Sequence, residues 1–85
     1  MNAKVIVYSK ETCPYCVMAK KLLEQKGVKD ITDVRIDLLP EERDKMIEKT
    51  GRMTVPQIFI GDFHVGGFDD LSALNRSGKL DELLK

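Results

Sequence analysis

The chain has 85 residues, too few for two ordinary domains, so one domain spanning 1–85 is expected. Its 14 basic and 14 acidic residues cancel, which removes electrostatic support for binding DNA or RNA, and no polybasic cluster offers itself to an anionic membrane surface. No apolar run approaches the roughly 20 residues of a membrane span, and the lead Met1-Asn2-Ala3-Lys4 leaves no room for a signal peptide, so cytoplasm is the expected compartment.

Lys4-Val5-Ile6-Val7-Tyr8-Ser9 is rich in β-branched residues and reads as a buried strand. Pro14 to Lys26 reads as a helix, with Cys16, Ala19 and Leu23 on one stripe and Gly27 ending it. Ile31 to Asp37 alternates, with Val34, Ile36 and Leu38 on one side, and is expected to be a second strand. Strand, helix crossover and strand make a right-handed parallel unit. Pro40 then opens a charged helix to about Lys49, stopped by Gly51.

Gln57 to Ile60 and Phe63 to Val65 are short strands around Gly61-Asp62, a dipeptide suited to a two-residue hairpin turn. Asp69 to Ser77 is a third helix with Leu71 and Leu74 inward, ended by Gly78; Leu80 to Lys85 is a short helical turn or a frayed tail. The order βαβ–α–ββ–α predicts an α/β fold with one four-stranded mixed sheet flanked by helices.

The only two cysteines, Cys13 and Cys16, are too close to staple distant parts of the chain. They sit where the first strand meets the first helix. Pro14 suits the first helical position, because its missing N–H would have no partner there. Cys13 then occupies the cap, where free N–H groups and the positive end of the helix dipole stabilise an anion. Its thiol is expected to have a depressed pKa, within the broad range of about 3.5–7.5 of such sites. Lys10 adds positive charge nearby and Glu11 opposes it. Cys16, one turn inside on the buried stripe, is the shielded neighbour. An exposed attacking thiolate and a buried resolving thiol are the parts of a thiol–disulfide exchange centre.

A Cys-x-x-Cys pair is also half of a zinc site. Zinc usually takes four ligands, no further cysteine exists, and the single histidine, His64, falls on a predicted hairpin strand as an exposed residue. No bound metal is expected. In a reducing compartment such a pair is more often catalytic or metal-binding than structural.

Three segments carry a resemblance: Tyr8-Ser9-Lys10-Glu11-Thr12 leading into Cys13-Pro14-Tyr15-Cys16, then Thr54-Val55-Pro56-Gln57-Ile58-Phe59-Ile60, then Gly66-Gly67-Phe68-Asp69-Asp70-Leu71. In order and spacing the sequence closely resembles the glutaredoxins of the thioredoxin-like superfamily. The resemblance implies a glutathione-dependent disulfide reductase of the dithiol class, with Pro56 cis and no cofactor beyond glutathione as reducing co-substrate. Phe68 departs from the pattern, since small residues are common there, and implies a tighter or more apolar groove.

The residue chemistry accommodates that ligand. An extended Thr54-Val55-Pro56 segment facing Cys13 would let the Val55 backbone pair with a bound peptide as in strand addition. One of Asp69 and Asp70 is expected to be an N-cap. The free helix N–H groups there suit the γ-glutamyl carboxylate, and an Asp side chain suits its ammonium. Gly67 would permit close approach to the backbone. At the other end Lys10 is the candidate for the glycyl carboxylate, with Arg52 and Gln57 behind it, and Tyr15 flanks the ligand or covers the helix end.

Two other functions stay open in the sequence. One is a dimer holding a [2Fe–2S] cluster through Cys13 and glutathione, which needs four thiolates. The other is a redoxin reduced by a flavoenzyme. The expected partners are glutathione and disulfide-containing or glutathionylated proteins, ribonucleotide reductase among them, met by a monomer.

Overall fold

The computed structural model describes residues 3–85; Met1 and Asn2, the start of the short lead, lie outside the described residues. The elements are β1 (Val5–Ser9), α1 (Pro14–Gln25), β2 (Ile31–Arg35), α2 (Pro40–Thr50), β3 (Gln57–Ile60), β4 (Phe63–Gly66), α3 (Phe68–Ser77) and α4 (Lys79–Leu84). The sheet runs β2-β1-β3-β4, with β1 parallel to β2 and both β1–β3 and β3–β4 antiparallel.

Side-chain alternation on β1 and β3 divides the core between the two sheet faces. Val5, Val7, Ile58 and Ile60 pack with Ala19 and Leu23 of α1, Leu71 of α3, and Leu80 and Leu84 of α4. On the opposite face Tyr8 packs with Ile36 and with Met46 of α2, joined by Ile6, Val34, Val55 and Phe59. Burying both faces explains why β1 reads as a nearly continuous apolar run. Leu23, Leu71, Leu80 and Leu84 are fully buried, each worth about 1.5–3 kcal/mol against exposure.

The helices end by recognisable chemistry. Pro14 and Pro40 open α1 and α2, Glu41 and Glu42 occupy the first turn of α2 and Lys49 its last, matching the helix dipole. Gly51 and Gly78 close α2 and α3 in the left-handed conformation.

One expectation is corrected, the end of β2, and two are made definite, the C-terminal helical turn and the hairpin. β2 ends at Arg35, and a turn in which Leu38 and Leu39 donate to the Arg35 carbonyl aims Leu38 outward at 67 % exposure. Ile36 alone of the later residues reaches the core, its N–H still bonded to the Ser9 carbonyl. The C-terminal segment is a helix anchored by Leu80 and Leu84 rather than a frayed tail. The hairpin carries a bulge: Ile58 pairs with Gly66 while Phe59 pairs with His64, leaving Val65 as the extra residue. The bulge delivers Gly66 and Gly67 to the start of α3, beside the segment that enters β3.

Candidate active site

Cys13 is the N-cap of α1, with extended backbone, and its Sγ accepts the Cys16 N–H at 3.2 Å. No acidic residue stands in the first turn of the helix. Charge on this sulfur is therefore met by an N–H and the helix dipole, with no carboxylate in the turn to oppose it. The two cysteines form a disulfide, with Cα atoms 5.2 Å apart. Cys16 is 2 % exposed and Cys13 8 %. Cys13 is thus less open than its sequence position suggests, because its sulfur is bonded to Cys16 and the Val55 carbonyl oxygen lies 4.0 Å away.

The loop that delivers Cys13 is held from outside. The Asp37 carboxylate accepts the Glu11 N–H at 3.2 Å and is gripped by Arg35 through Nε at 2.8 Å and Nη2 at 2.6 Å. Arg35, then the Glu11 N–H, holds the Asp37 carboxyl well below the usual carboxylate range. Arg35 also reaches Glu11 at 3.7 Å, countering the charge that would oppose the Cys13 thiolate. Between these anchors Thr12 takes a φ of 58°, a left-handed conformation uncommon for a β-branched residue. Nothing in the sequence marks Arg35 and Asp37, which look like the solvated end of a strand.

Opposite Cys13, the Val55–Pro56 bond is cis. All the sequence candidates for ligand contact except Lys10 line one cleft of about 280 Å³: Tyr15 from α1, Arg52 and Thr54 to Gln57 ahead of and at β3, and Gly67 to Asp70 at α3. The Tyr15 and Phe68 rings stand 6.2 Å apart along it. Lys10 lines a neighbouring hollow with Asp37, Arg43 and Met53, and Thr54 and Val55 border both spaces. Arg43, a charge on a charged helix, carried no sequence signal.

At α3 the N-cap is Gly67, not an aspartate. Asp70, three residues on, reaches back to accept the Gly67 N–H at 2.9 Å and also accepts from Arg52 Nη1 at 3.2 Å. These bonds, the Gly67 N–H first, lower the Asp70 pKa. Asp69 has no side-chain hydrogen bond or ion pair among the described residues, so the two aspartates divide: one holds the helix, the other is free in the cleft.

Gln57 is no surface side chain. It is 1 % exposed, its Nε2 donates to the Thr54 carbonyl at 3.0 Å, and its Oε1 meets His64 Nε2 at 2.8 Å. His64 is half-buried and stacks on Phe59 at 4.9 Å between ring centres, so the expectation of an exposed hairpin residue is also corrected. Burial, then Arg52, lowers its pKa.

Residues 5–65 match the glutaredoxin family model. A glutaredoxin of Pseudomonas aeruginosa is 54 % identical over 80 residues, covering 94 % of each chain. Glutaredoxin 3 of Escherichia coli K12 is 54 % identical over 83 residues, covering 98 % of this chain and 99 % of its own. The buckwheat glutaredoxin–glutathione complex superposes with a TM-score of 0.87 at 34 % identity, over 96 % of this chain and 76 % of that one. The solution structure of the dithiolic glutaredoxin of Trypanosoma brucei gives 0.87 at 44 % identity, over 98 % and 88 %. The thioredoxin-like fold, the capped cysteine pair and these similarities converge: the chain belongs to the glutaredoxins, a family of thiol–disulfide oxidoreductases.

Proposed function

We propose that this protein reduces protein disulfides and protein–glutathione mixed disulfides at the expense of glutathione, with Cys13 attacking and Cys16 resolving. The observation that carries the reading is the Val55 carbonyl 4.0 Å from Cys13 Sγ, at the edge of a cleft that ends on the free Asp69 and the start of α3. A peptide-like thiol laid along Val55 would bring its sulfur to Cys13 and its charged end to α3. Lys10 and Arg43 in the adjoining hollow offer cationic partners for the carboxylate at the other end. The buckwheat complex with glutathione supports the same ligand here.

In deglutathionylation the Cys13 thiolate attacks the glutathione sulfur. The protein thiolate leaves and takes a proton, and Cys13 carries the glutathionyl group. A second glutathione thiolate attacks that group, so glutathione disulfide departs and the Cys13 thiolate returns. For a protein disulfide, Cys13 forms a mixed disulfide with one substrate sulfur. Cys16 then attacks Cys13, releasing the reduced substrate and leaving the Cys13–Cys16 disulfide seen here, which two glutathiones reduce. The close cysteine pair is of the kind that serves catalysis in a reducing compartment, and the reading therefore takes the cytoplasm as the place of action.

Glutathione-coupled reduction of a glutathionylated peptide tests the reading. Cys13→Ser is expected to abolish activity; Cys16→Ser is expected to keep deglutathionylation and lose most protein-disulfide reduction. Equal loss from both substitutions in the deglutathionylation assay sinks the assignment.

A further inference from the structure

Behind the Thr54–Val55 edge lies a chain of polar groups that no step above uses. Gln57 is buried at the start of β3, and its amide nitrogen donates to Thr54, to the carbonyl at 3.0 Å and toward Oγ1 at 3.4 Å. The orientation is forced. The Thr54 carbonyl only accepts, so the nitrogen must face it and Oε1 must face His64. Oε1 also only accepts, so His64 Nε2 carries a hydrogen and donates at 2.8 Å. Stacking of the imidazole on Phe59 fixes that donor in place. The Thr54 hydroxyl, accepting from Gln57, has its own hydrogen left to give. Thr54 is exposed and borders both the cleft beside Cys13 and the hollow of Lys10 and Arg43.

We propose that His64, Gln57 and Thr54 form a one-way donor relay that presents the Thr54 hydroxyl as a hydrogen-bond donor to a carbonyl or carboxylate oxygen of the bound ligand. Gln57 and His64 are positioning residues acting through Thr54: Gln57 borders the cleft, but it is 1 % exposed and its amide is committed to Thr54 and His64, which replaces the expectation that it meets the ligand carboxylate directly. The inference deepens the glutathione reading and rests on it. The relay also ties the backbone of Thr54, and hence the start of the Val55 edge, to a side chain inside the sheet. The bulge in β4 belongs to the same device: it pairs His64 with Phe59, next to Gln57.

The test uses the full chain, a glutathionylated peptide as substrate, and iodoacetamide alkylation of reduced Cys13 as a readout that does not need the cleft. Gln57→Met keeps the length of the side chain and removes its donors and acceptor. It is expected to raise KM about fivefold, the worth of one ordinary hydrogen bond, with kcat and Cys13 alkylation within twofold of wild type. Thr54→Val is expected to raise KM similarly. The double variant is expected to be no worse than the worse single one, because Gln57 acts only through the hydroxyl that Thr54→Val removes. Effects that multiply in the double variant, or a folded Gln57→Met with wild-type KM, overturn the relay. If Gln57→Met does not fold, His64→Phe decides: it keeps the stacking, frees the Gln57 amide, and is expected to raise KM about twofold, whereas an unchanged KM overturns the relay. Wild-type turnover of the peptide with glutathione is the separate check on the reading beneath it. Absence of that turnover defeats both; turnover with KM unchanged across the folded variants defeats the relay alone.

Discussion

The Asp70 carboxylate accepts the Gly67 N–H at 2.9 Å across the first turn of α3, while neighbouring Asp69 has no side-chain partner among the described residues. The two acidic residues should therefore separate by assay. Asp69→Asn is expected to cut kcat/KM for a glutathionylated peptide about tenfold or more, the worth of one charged hydrogen bond, and to leave the melting temperature unchanged. Asp70→Ala is expected to cost stability, at or below about 1 kcal/mol because the carboxylate is half exposed. Its folded pKa is depressed, so its contribution is present above the unfolded carboxylate pKa and is lost as pH falls through the folded value. Melts at pH 7 and in acid are expected to show the gap between wild type and Asp70→Ala closing in acid.

Reactivity at Cys13 gives a second outcome. The thiolate at the α1 cap receives the Cys16 N–H and faces no carboxylate in its helix turn. Alkylation of reduced Cys13 at pH 6 is expected to run far faster than for a free cysteine of pKa about 8.5, with Cys16 lagging. A Cys13 that titrates like a free thiol would remove the helix-terminus account.

The Cys13–Cys16 arrangement was legible because its determinants are local: a proline that opens a helix and a stripe that turns Cys16 inward. The β-strand boundaries were less so. Alternation of Val34, Ile36 and Leu38 continues past Arg35, but the turn onto the Arg35 carbonyl is decided by where α2 must start. Gln57 reads in the sequence as a polar ligand candidate after a proline, and its burial depends on His64 across a bulged hairpin. Asp37 bonds Glu11 from 26 positions away, a pairing that no local pattern encodes.

That distant bond has its own consequence. With Asp37→Ala the loop from Lys10 to Thr12 loses the acceptor for the Glu11 N–H, and Arg35 loses its closest partner. Nothing then holds Thr12 in its left-handed conformation from that side, and Cys13 is delivered less well to the helix cap. Slower alkylation of Cys13 at pH 6 is expected. The Asp37 pKa is depressed in the folded chain, so the carboxylate is charged throughout the neutral range and its own titration adds nothing between pH 6 and 8; the deficit is expected to be largest at pH 6 and to narrow as rising pH turns more of the variant's Cys13 into thiolate. Wild type is expected to lose the same advantage only in strong acid, below the unfolded carboxylate value. A variant that alkylates like wild type would show that the anchor does not act on Cys13.

The glycines before α3 offer the sharpest separation of fold from ligand binding. Gly66 has a φ of 113°, and a Cβ there would stand 2.9 Å from Asp70 Cγ and 3.1 Å from Arg52 Nη1. Gly66→Ala therefore combines a disfavoured backbone with displacement of the carboxylate that caps α3, and is expected to destabilise the protein by about 1–3 kcal/mol. Gly67 has a φ of −90°, and the nearest atom to an added Cβ is the Pro56 carbonyl oxygen at 3.7 Å, an ordinary contact. Gly67→Ala is expected to cost less than about 1 kcal/mol, the difference between glycine and alanine at an N-cap. Gly67 borders the cleft, however, so a methyl there takes up space where the ligand would approach the backbone. KM for a glutathionylated peptide is expected to rise several-fold in Gly67→Ala, while Cys13 alkylation stays at the wild-type rate. Denaturant melts and steady-state kinetics on the two variants check the split. Unchanged KM in a stable Gly67→Ala would mean that the ligand does not lie against the start of α3.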